Sequence, residues 1–312
     1  MFWRKISIKN KAVLITGCDS GFGNRLAIRL NEIGFRVYAT VLDEMSFGSQ
    51  QLPLNCKHTD RMCVLEMDVT RENQIDRCFE FVTSDLRTNG GVLWSVINNA
   101  GILTYGHIEW GQFGEHFGRV FDVNLFGVIR VTRKFLPLIR QSKGRIVIVS
   151  SLGGRISSDN LSAYCMSKGA VITFADVLRR EMRKFKVNVS TIEPTFFKTG
   201  VYGEQVPAFE HNWQTTNTGV QEVYGQQYFA EQLKLLERRR RLSRWSSRLD
   251  IVVDDMIDAV VSRNPNRCYQ PVNIWPLKLV VIVLPLIPNW LIDWSTYMID
   301  PTVPNYMRSN DQ

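Results

Sequence analysis

Short apolar runs with β-branched residues recur along the first 275 residues, and most are followed by a stretch of helical period. Ala12-Val13-Leu14-Ile15-Thr16 is apolar at consecutive positions and is ended by Gly17, which reads as a strand buried on both faces. Leu26, Ile28, Leu30 and Ile33 then begin a helical pattern that stops at Gly34. Arg36–Val41 is a second strand, and others are expected near Cys63–Met67 and at Val92–Ile97, Arg145–Val149 and Val187–Ile192. Helices are expected near Asn73–Leu86, Glu115–Ile139 and Ser162–Lys184. Strands joined through helices need crossover connections, so the chain is an α/β protein with a doubly wound parallel sheet flanked by helices.

The alternation fails from Glu193 to about Gly219, a polar, aromatic-rich excursion of the length that compact domains keep for function. Helical patterning resumes near Gln221–Leu242 and Ile251–Ser262, and Tyr269–Trp275 reads as a last strand. We expect one domain over residues 1–275, with a substrate loop and helical insertion at about 195–248, and an apolar tail over 276–312. Phe196, Phe197, Tyr202, Phe209 and Trp213, within the excursion, are either core or the wall of an apolar pocket.

Composition removes other classes. At 45% hydrophobic and 22% charged, the chain is globular rather than disordered or fibrous. Six scattered cysteines with no C-x-x-C pair, and four histidines without ligand spacing, disfavour a disulfide framework or a metal site. The net charge of +8 has a local source in Arg238, Arg239, Arg240, Arg241, Arg244 and Arg248. That run is either a solvated helix face or a contact for anionic lipid or polyanions. No recognition motif accompanies it, so nucleic acid is not expected. The first eleven residues contain no apolar run of signal-peptide length. We expect an intracellular protein, cytosolic or peripheral on the endoplasmic reticulum membrane.

Five short motifs carry chemistry. Thr16-Gly17-Cys18-Asp19-Ser20-Gly21-Phe22-Gly23 lies between a strand and a helix. Its glycines let the backbone turn tightly against a pyrophosphate at the helix N-terminus, although a plain turn has the same composition. Tyr164-Cys165-Met166-Ser167-Lys168 puts a phenol and an ammonium on one helix face, where the cation would lower the tyrosine pKa toward acid–base use. Cys165 reads as a small packing residue. Ser151 follows a strand, at the sheet edge that faces the ligand crevice, where a hydroxyl can bond a substrate oxygen. Asn98-Asn99-Ala100-Gly101 closes another strand, and the Asn124 amide holds a helix or a water in register.

Taken together, these motifs resemble those of the short-chain dehydrogenase/reductase family over roughly residues 10–275, in the family's order. The resemblance implies a single Rossmann-type domain and hydride transfer between a nicotinamide cofactor and a carbinol carbon. It implies Tyr164 as general acid/base and Lys168 as its pKa-lowering neighbour and ribose contact. Ser151 would polarise the substrate oxygen and Asn124 complete a proton relay. Gly17, Ser20, Gly21, Phe22 and Gly23 would line the pyrophosphate, Asn98, Ala100 and Gly101 the adenosine side, Asp68 the adenine edge, and Pro194 the nicotinamide loop. The segments "ITGCDSGFGN", "DVNLFGVIRVT", "GRIVIVSSLGGR", "YCMSK" and "IEPTFFKTG" are similar to the retinol and hydroxysteroid dehydrogenase branch, with β-hydroxybutyrate dehydrogenase a relative.

The expected substrate is a small hydrophobic alcohol or carbonyl: a retinoid, steroid or other lipid alcohol. A short hydroxy acid is the alternative, and a catalytically silent nucleotide-binding protein is another. A homo-oligomer is compatible with the family. Two departures stand out. The membrane segment usual at the N-terminus of that branch is not seen, and the usual Pro-Gly after the sixth strand is Pro194-Thr195. NAD is favoured over NADP, because Ser20 stands where NADP users often carry a cation and Asp43 follows the second strand. Asp43 lies two places past the usual position of the ribose-binding acid. The uncharged run Leu279–Ile287, interrupted by Pro285 and flanked by Trp275, Trp290, Trp294 and Tyr297, is too short to span a bilayer. It is expected either to dock at a membrane surface or to fold back over the pocket.

Overall fold

The computed structural model describes residues 5–195, 197–199, 203, 205–243 and 247–273, and residues 278, 283, 287, 288, 290, 291, 293, 294, 302, 304 and 307 of the tail. Residues 239, 240, 242 and 243 are described by backbone alone.

Seven parallel strands form one sheet in the order β3-β2-β1-β4-β5-β6-β7. They are β1 (Lys11–Ile15), β2 (Arg36–Val41), β3 (Met62–Glu66), β4 (Val92–Asn98), β5 (Arg145–Val149), β6 (Asn188–Ile192) and β7 (Cys268–Tyr269). The order reverses between β1 and β4, which opens a crevice at their carboxyl ends. Alternate residues of β1 enter opposite layers. Val13 and Ile15 pack in the cluster with Leu26, Leu30, Val253 and Met256, while Ala12 and Leu14 pack with Val82, Val131, Phe135 and Val171. Burial on both faces is why the strand is apolar at all four positions from Ala12 to Ile15 rather than at alternate ones.

The helices are α1 (Gly21–Ile33), α2 (Phe47–Asn55), α3 (Glu72–Asn89), α4 (Arg119–Phe121), α5 (Val128–Ser142), α6 (Ser162–Met182), α7 (Gln205–Gln214), α8 (Thr218–Tyr224), α9 (Gln226–Ser243) and α10 (Asp250–Val261). π-Helical turns at Gly114–Gly118 and Asp122–Gly127 join α4 to its surroundings, so 114–142 runs as one helical rod. Such turns carry an extra residue per turn and re-aim side chains, and Asn124 lies in the second.

Three expectations are corrected. α2 and α7 fall where no helix is expected, and the last strand is two residues rather than Tyr269–Trp275. Pro271 has no N–H to donate, which ends the ladder, although its carbonyl still accepts from the Thr195 backbone at 3.3 Å. Gly225 splits the helical stretch expected at Gln221–Leu242 into α8 and α9.

α7, α8 and α9 have their own core. Phe209, Trp213, Tyr228, Phe229 and Leu236 pack with Tyr105 and Trp110 from the loop after β4. Phe209 and Trp213 are therefore core residues of the insertion, and Phe197 belongs to the main core. Phe196 and Tyr202 lie outside the described residues.

Candidate active site

The glycine turn between β1 and α1 is shaped by what cannot fit there. Gly17 has φ +69°, and a Cβ on it would lie 2.9 Å from the Ala100 Cα. A Cβ on Gly23 would fall inside contact with the Gly17 carbonyl and 2.5 Å from Asn99 Nδ2. Ser20 is the extended residue before α1, and its side chain makes no capping bond. The first turn of α1 has no acid. Its backbone N–H groups thus keep their capacity for an anion, the arrangement that receives a pyrophosphate. Phe22 packs edge-on against Phe197, with ring centroids 6.0 Å apart, and Thr199 lies beside Gly21. The loop after β6 therefore closes over the turn.

Across the crevice, the end of β4 is tied to the turn by Asn99 and Thr16. Asn99 Nδ2 donates to the carbonyls of Thr16 and Gly17 at 2.9 and 2.8 Å, and the Thr16 hydroxyl accepts from the Asn99 and Ala100 backbones at 3.0 Å. Neither residue was singled out from the sequence. The Asn98 side chain instead donates to Thr132 on α5 at 3.0 Å, away from the turn. Gly101 lies between Asn124 and Lys168, each 3.3 Å from where its Cβ would be.

At the end of β5, Ser151 caps a short turn by accepting from the Gly153 backbone at 3.0 Å. Gly154 allows that turn to press on α6, since a Cβ there would be 2.8 Å from the Lys168 carbonyl. On α6, the Tyr164 hydroxyl is near enough to Ser151 for the serine hydroxyl to favour its phenolate form. Lys168 is buried, and its Nζ donates to the Val149 carbonyl at 2.9 Å and lies 5.8 Å from the centre of the Tyr164 ring. The structure brings Ser151, Tyr164 and Lys168 together. Asn124 is also fully buried. Its Oδ1 accepts from the Ile102 backbone at 2.8 Å, and its Nδ2 donates to the Ile102 carbonyl at 2.9 Å and to Ser167 at 3.1 Å.

The electrostatics reverse one expectation. Burial pushes the Tyr164 phenol up to about 12, against the lowering bond from Ser151, and pushes the Lys168 ammonium down to about 8. Tyr164 keeps some exposed surface, but it sits deep among protein atoms. Taking both groups out of water disfavours both charged forms, and this outweighs any attraction across the helix face. Burial likewise raises the Cys165 thiol, as befits a packing residue.

Pro194 accepts from the Leu152 backbone at 3.0 Å, which joins the β5 and β6 loops. Arg155 reinforces this junction with two bonds to the fully buried Glu193 carboxylate, at 3.1 and 2.9 Å. Thr195, in place of the family's glycine, is not among the positive-φ residues, so the substitution needs no strained backbone.

After β3, Asp68 accepts from the Thr70 backbone and hydroxyl at 2.8 Å. Asp43 is exposed and accepts from the Met45 backbone at 2.8 Å. On the opposite side, the tail touches the insertion. Gln232 on α9 donates to Thr302 at 2.7 Å and accepts from Asn160, four residues before Tyr164, at 3.2 Å.

The family model described as short chain dehydrogenase matches residues 11–208. Retinol dehydrogenase 16 of Rattus norvegicus is 38% identical over 94% of this chain and 90% of its own length. The 17-beta-hydroxysteroid dehydrogenase type 6 of Homo sapiens is 37% identical over 92% and 88%. Among solved structures, a short-chain dehydrogenase from Streptomyces avermitilis superposes with a TM-score of 0.65 at 22% identity, covering 95% of this chain and 100% of that one. This last likeness concerns the fold.

Proposed function

The chain belongs to the short-chain dehydrogenase family, and from that premise we propose that it moves hydride between a nicotinamide cofactor and a hydrophobic alcohol: a retinoid, a steroid or another lipid alcohol. The observation that carries this reading is the grouping of Ser151 and Tyr164 with buried Lys168, whose Nζ lies 5.8 Å from the Tyr164 ring, at the carboxyl end of β5. The nicotinamide supplies the hydride chemistry when bound. Gly17, Ser20, Gly21, Phe22 and Gly23 would hold its pyrophosphate, where added side chains at Gly17 and Gly23 would collide. Asp68, the backbone at Asn98, Ala100 and Gly101, and Pro194 would border its remaining parts.

Ser151 orients the substrate oxygen, and Tyr164 holds or takes the proton on that oxygen. Lys168 would offer its ammonium to the cofactor's ribose. Asn124, with one lone pair left on Oδ1, carries the relay inward from Lys168. The test is a panel of retinoids, steroids and short hydroxy acids with both NAD and NADP, followed by nicotinamide absorbance. Turnover of lipid alcohols is the expected result. Turnover confined to hydroxy acids, or none, overturns the reading.

The two displaced pKa values fix a pH profile. Oxidation needs Tyr164 deprotonated, and its phenol, near 12, is far above neutrality. Between about pH 6 and pH 8, kcat/KM for oxidation should rise about tenfold per unit. Above about 8 Lys168 loses its charge, so the rise should flatten. Carbonyl reduction uses the protonated phenol, so it should stay level to about pH 8 and then fall. An oxidation profile level from pH 6 to 8 would contradict the buried-phenol assignment.

We place the enzyme peripherally on a membrane through its tail. No helix among the described residues is long and apolar enough to cross one. Val283, Trp290, Leu291 and Trp294 are exposed in the tail, and Arg238 and Arg241 are exposed on α9. Interfacial tryptophans beside a basic helix suit an anionic lipid surface. The Thr302 contact would hold the tail's far end against α9 meanwhile. Anionic vesicles should retain the protein at low salt, and deletion beyond Trp275 should release it. Retention unchanged by that deletion would refute the placement.

A further inference from the structure

Selection between NAD and NADP in a doubly wound sheet is made at the carboxyl end of β2, beside the adenosine ribose. A carboxylate there accepts from the ribose 2′-hydroxyl, whereas a cation there receives a 2′-phosphate. The last residue of β2, Val41, is apolar and fully buried, so it offers neither. Asp43 is turned back on its own loop, accepting from the Met45 backbone.

Another acid occupies this end of the strand, from the turn after the neighbouring β1. Asp19, in the glycine turn, accepts from the Leu42 backbone through Oδ1 at 2.9 Å and Oδ2 at 3.2 Å, and from the Asp43 backbone at 3.4 Å. We propose that Asp19, rather than Asp43, is the residue that selects the cofactor, accepting from the 2′-hydroxyl of NAD and rejecting the 2′-phosphate of NADP.

The placement is built, not incidental. The Cys18 backbone donates to the Thr40 carbonyl at 2.8 Å, which pins the turn to β2. Asn24 donates to the Cys18 carbonyl at 3.0 Å and the Gly48 carbonyl at 3.2 Å, tying α1 to α2 around Asp19. Gly48 packs so closely that a Cβ there would overlap the Asp19 carbonyl. Bonds from two successive backbone N–H groups stop the carboxylate from rotating away. A carboxylate has about four lone-pair positions, and the three contacts leave one on Oδ2 for a ribose hydroxyl. Among the described residues no lysine, arginine or histidine pairs with Asp19. A 2′-phosphate would therefore bring like charge against a carboxylate that cannot move.

This inference rests on the nicotinamide-dependent reading above, and its experiment separates the two. Full-length protein is titrated with NAD and with NADP, following tryptophan fluorescence, so that binding is read without turnover. Wild type should bind NAD at least about a hundredfold more tightly than NADP, the size expected for a like-charge clash of several kcal/mol. Asp19→Asn should narrow that ratio at least about tenfold, and Asp19→Glu should retain more of it. Asp43→Asn should leave the ratio unchanged. Thermal melting of each variant establishes that it is folded. Should Asp19→Asn fail to fold, a wild-type preference for NADP, or a ratio that moves with Asp43→Asn, still overturns the proposal. Binding of NAD with a ratio indifferent to Asp19 removes this inference alone. Binding of neither nucleotide removes the oxidoreductase reading with it.

Discussion

Tyr164→Phe should lower turnover about a thousandfold or more, the upper part of what a positioned acid–base group supplies, while NAD affinity stays within about twofold. The substitution keeps the ring, which packs against Gly153, and deletes only the hydroxyl near Ser151. No other described group beside Tyr164 can exchange the substrate proton in its place. The Ser151 hydroxyl accepts from the Gly153 backbone and is left to donate to the substrate oxygen, but an alcohol is too weak an acid to give up its proton. Lys168 Nζ is directed at the Val149 carbonyl. Lys168→Ala should behave differently, weakening both cofactor affinity and turnover, because its ammonium serves the ribose as well as the proton path. Steady-state rates beside fluorescence titration of NAD separate the two variants. A phenylalanine variant within tenfold of wild type would falsify the active-site assignment.

The sheet was legible because its strands leave few alternatives. β2 and β5 begin and end where their apolar runs do, at Arg36–Val41 and Arg145–Val149. Other segments give weaker signals. α2 has a proline inside it and buries only Ser49 and Leu52, so no apolar stripe marks it. α7 buries Gln205 and Asn212 beside Phe209 and Trp213, a mixture that resembles a loop. π-Helical turns at Gly114–Gly118 and Asp122–Gly127 have no composition of their own.

The site divides in the same way. Tyr164 and Lys168 were readable because the helical period itself brings positions four apart together. Asn98 against Asn99 was not. Successive residues of a strand face opposite layers, and when both layers are apolar, as around β4, nothing in the sequence says which face looks toward the crevice. The tyrosine pKa was misjudged for a related reason. Spacing reports that a cation is near, but the direction of the shift depends on how much water remains, and only the packed structure contains that. Asp19 belongs here too. It lies in a motif that draws attention to its glycines, while its partner amides on Leu42 and Asp43 are 23 and 24 residues away.

Gly23→Ala should be the most damaging single-methyl change in the cofactor cradle. The added carbon would meet the Gly17 carbonyl and Asn99 Nδ2, and neither can yield cheaply. The first is backbone at φ +69°, and the second is fixed by bonds to Thr16 and Gly17. Overpacking at such a point costs about 1–3 kcal/mol of stability. The larger consequence falls on binding, because relief requires α1 to move away from β4, and a shift of about 1 Å in a positioned site can cost a hundredfold. NAD affinity should therefore fall about a hundredfold in protein that still melts cooperatively at a lower temperature. Gly114→Ala is the matched comparison, since a Cβ at Gly114 meets nothing within 4 Å. That variant should bind NAD like wild type and melt at the same temperature or above, as a helical alanine replaces a freer glycine. Equal NAD affinity in the two alanine variants would mean that the pyrophosphate does not lie in the turn between β1 and α1.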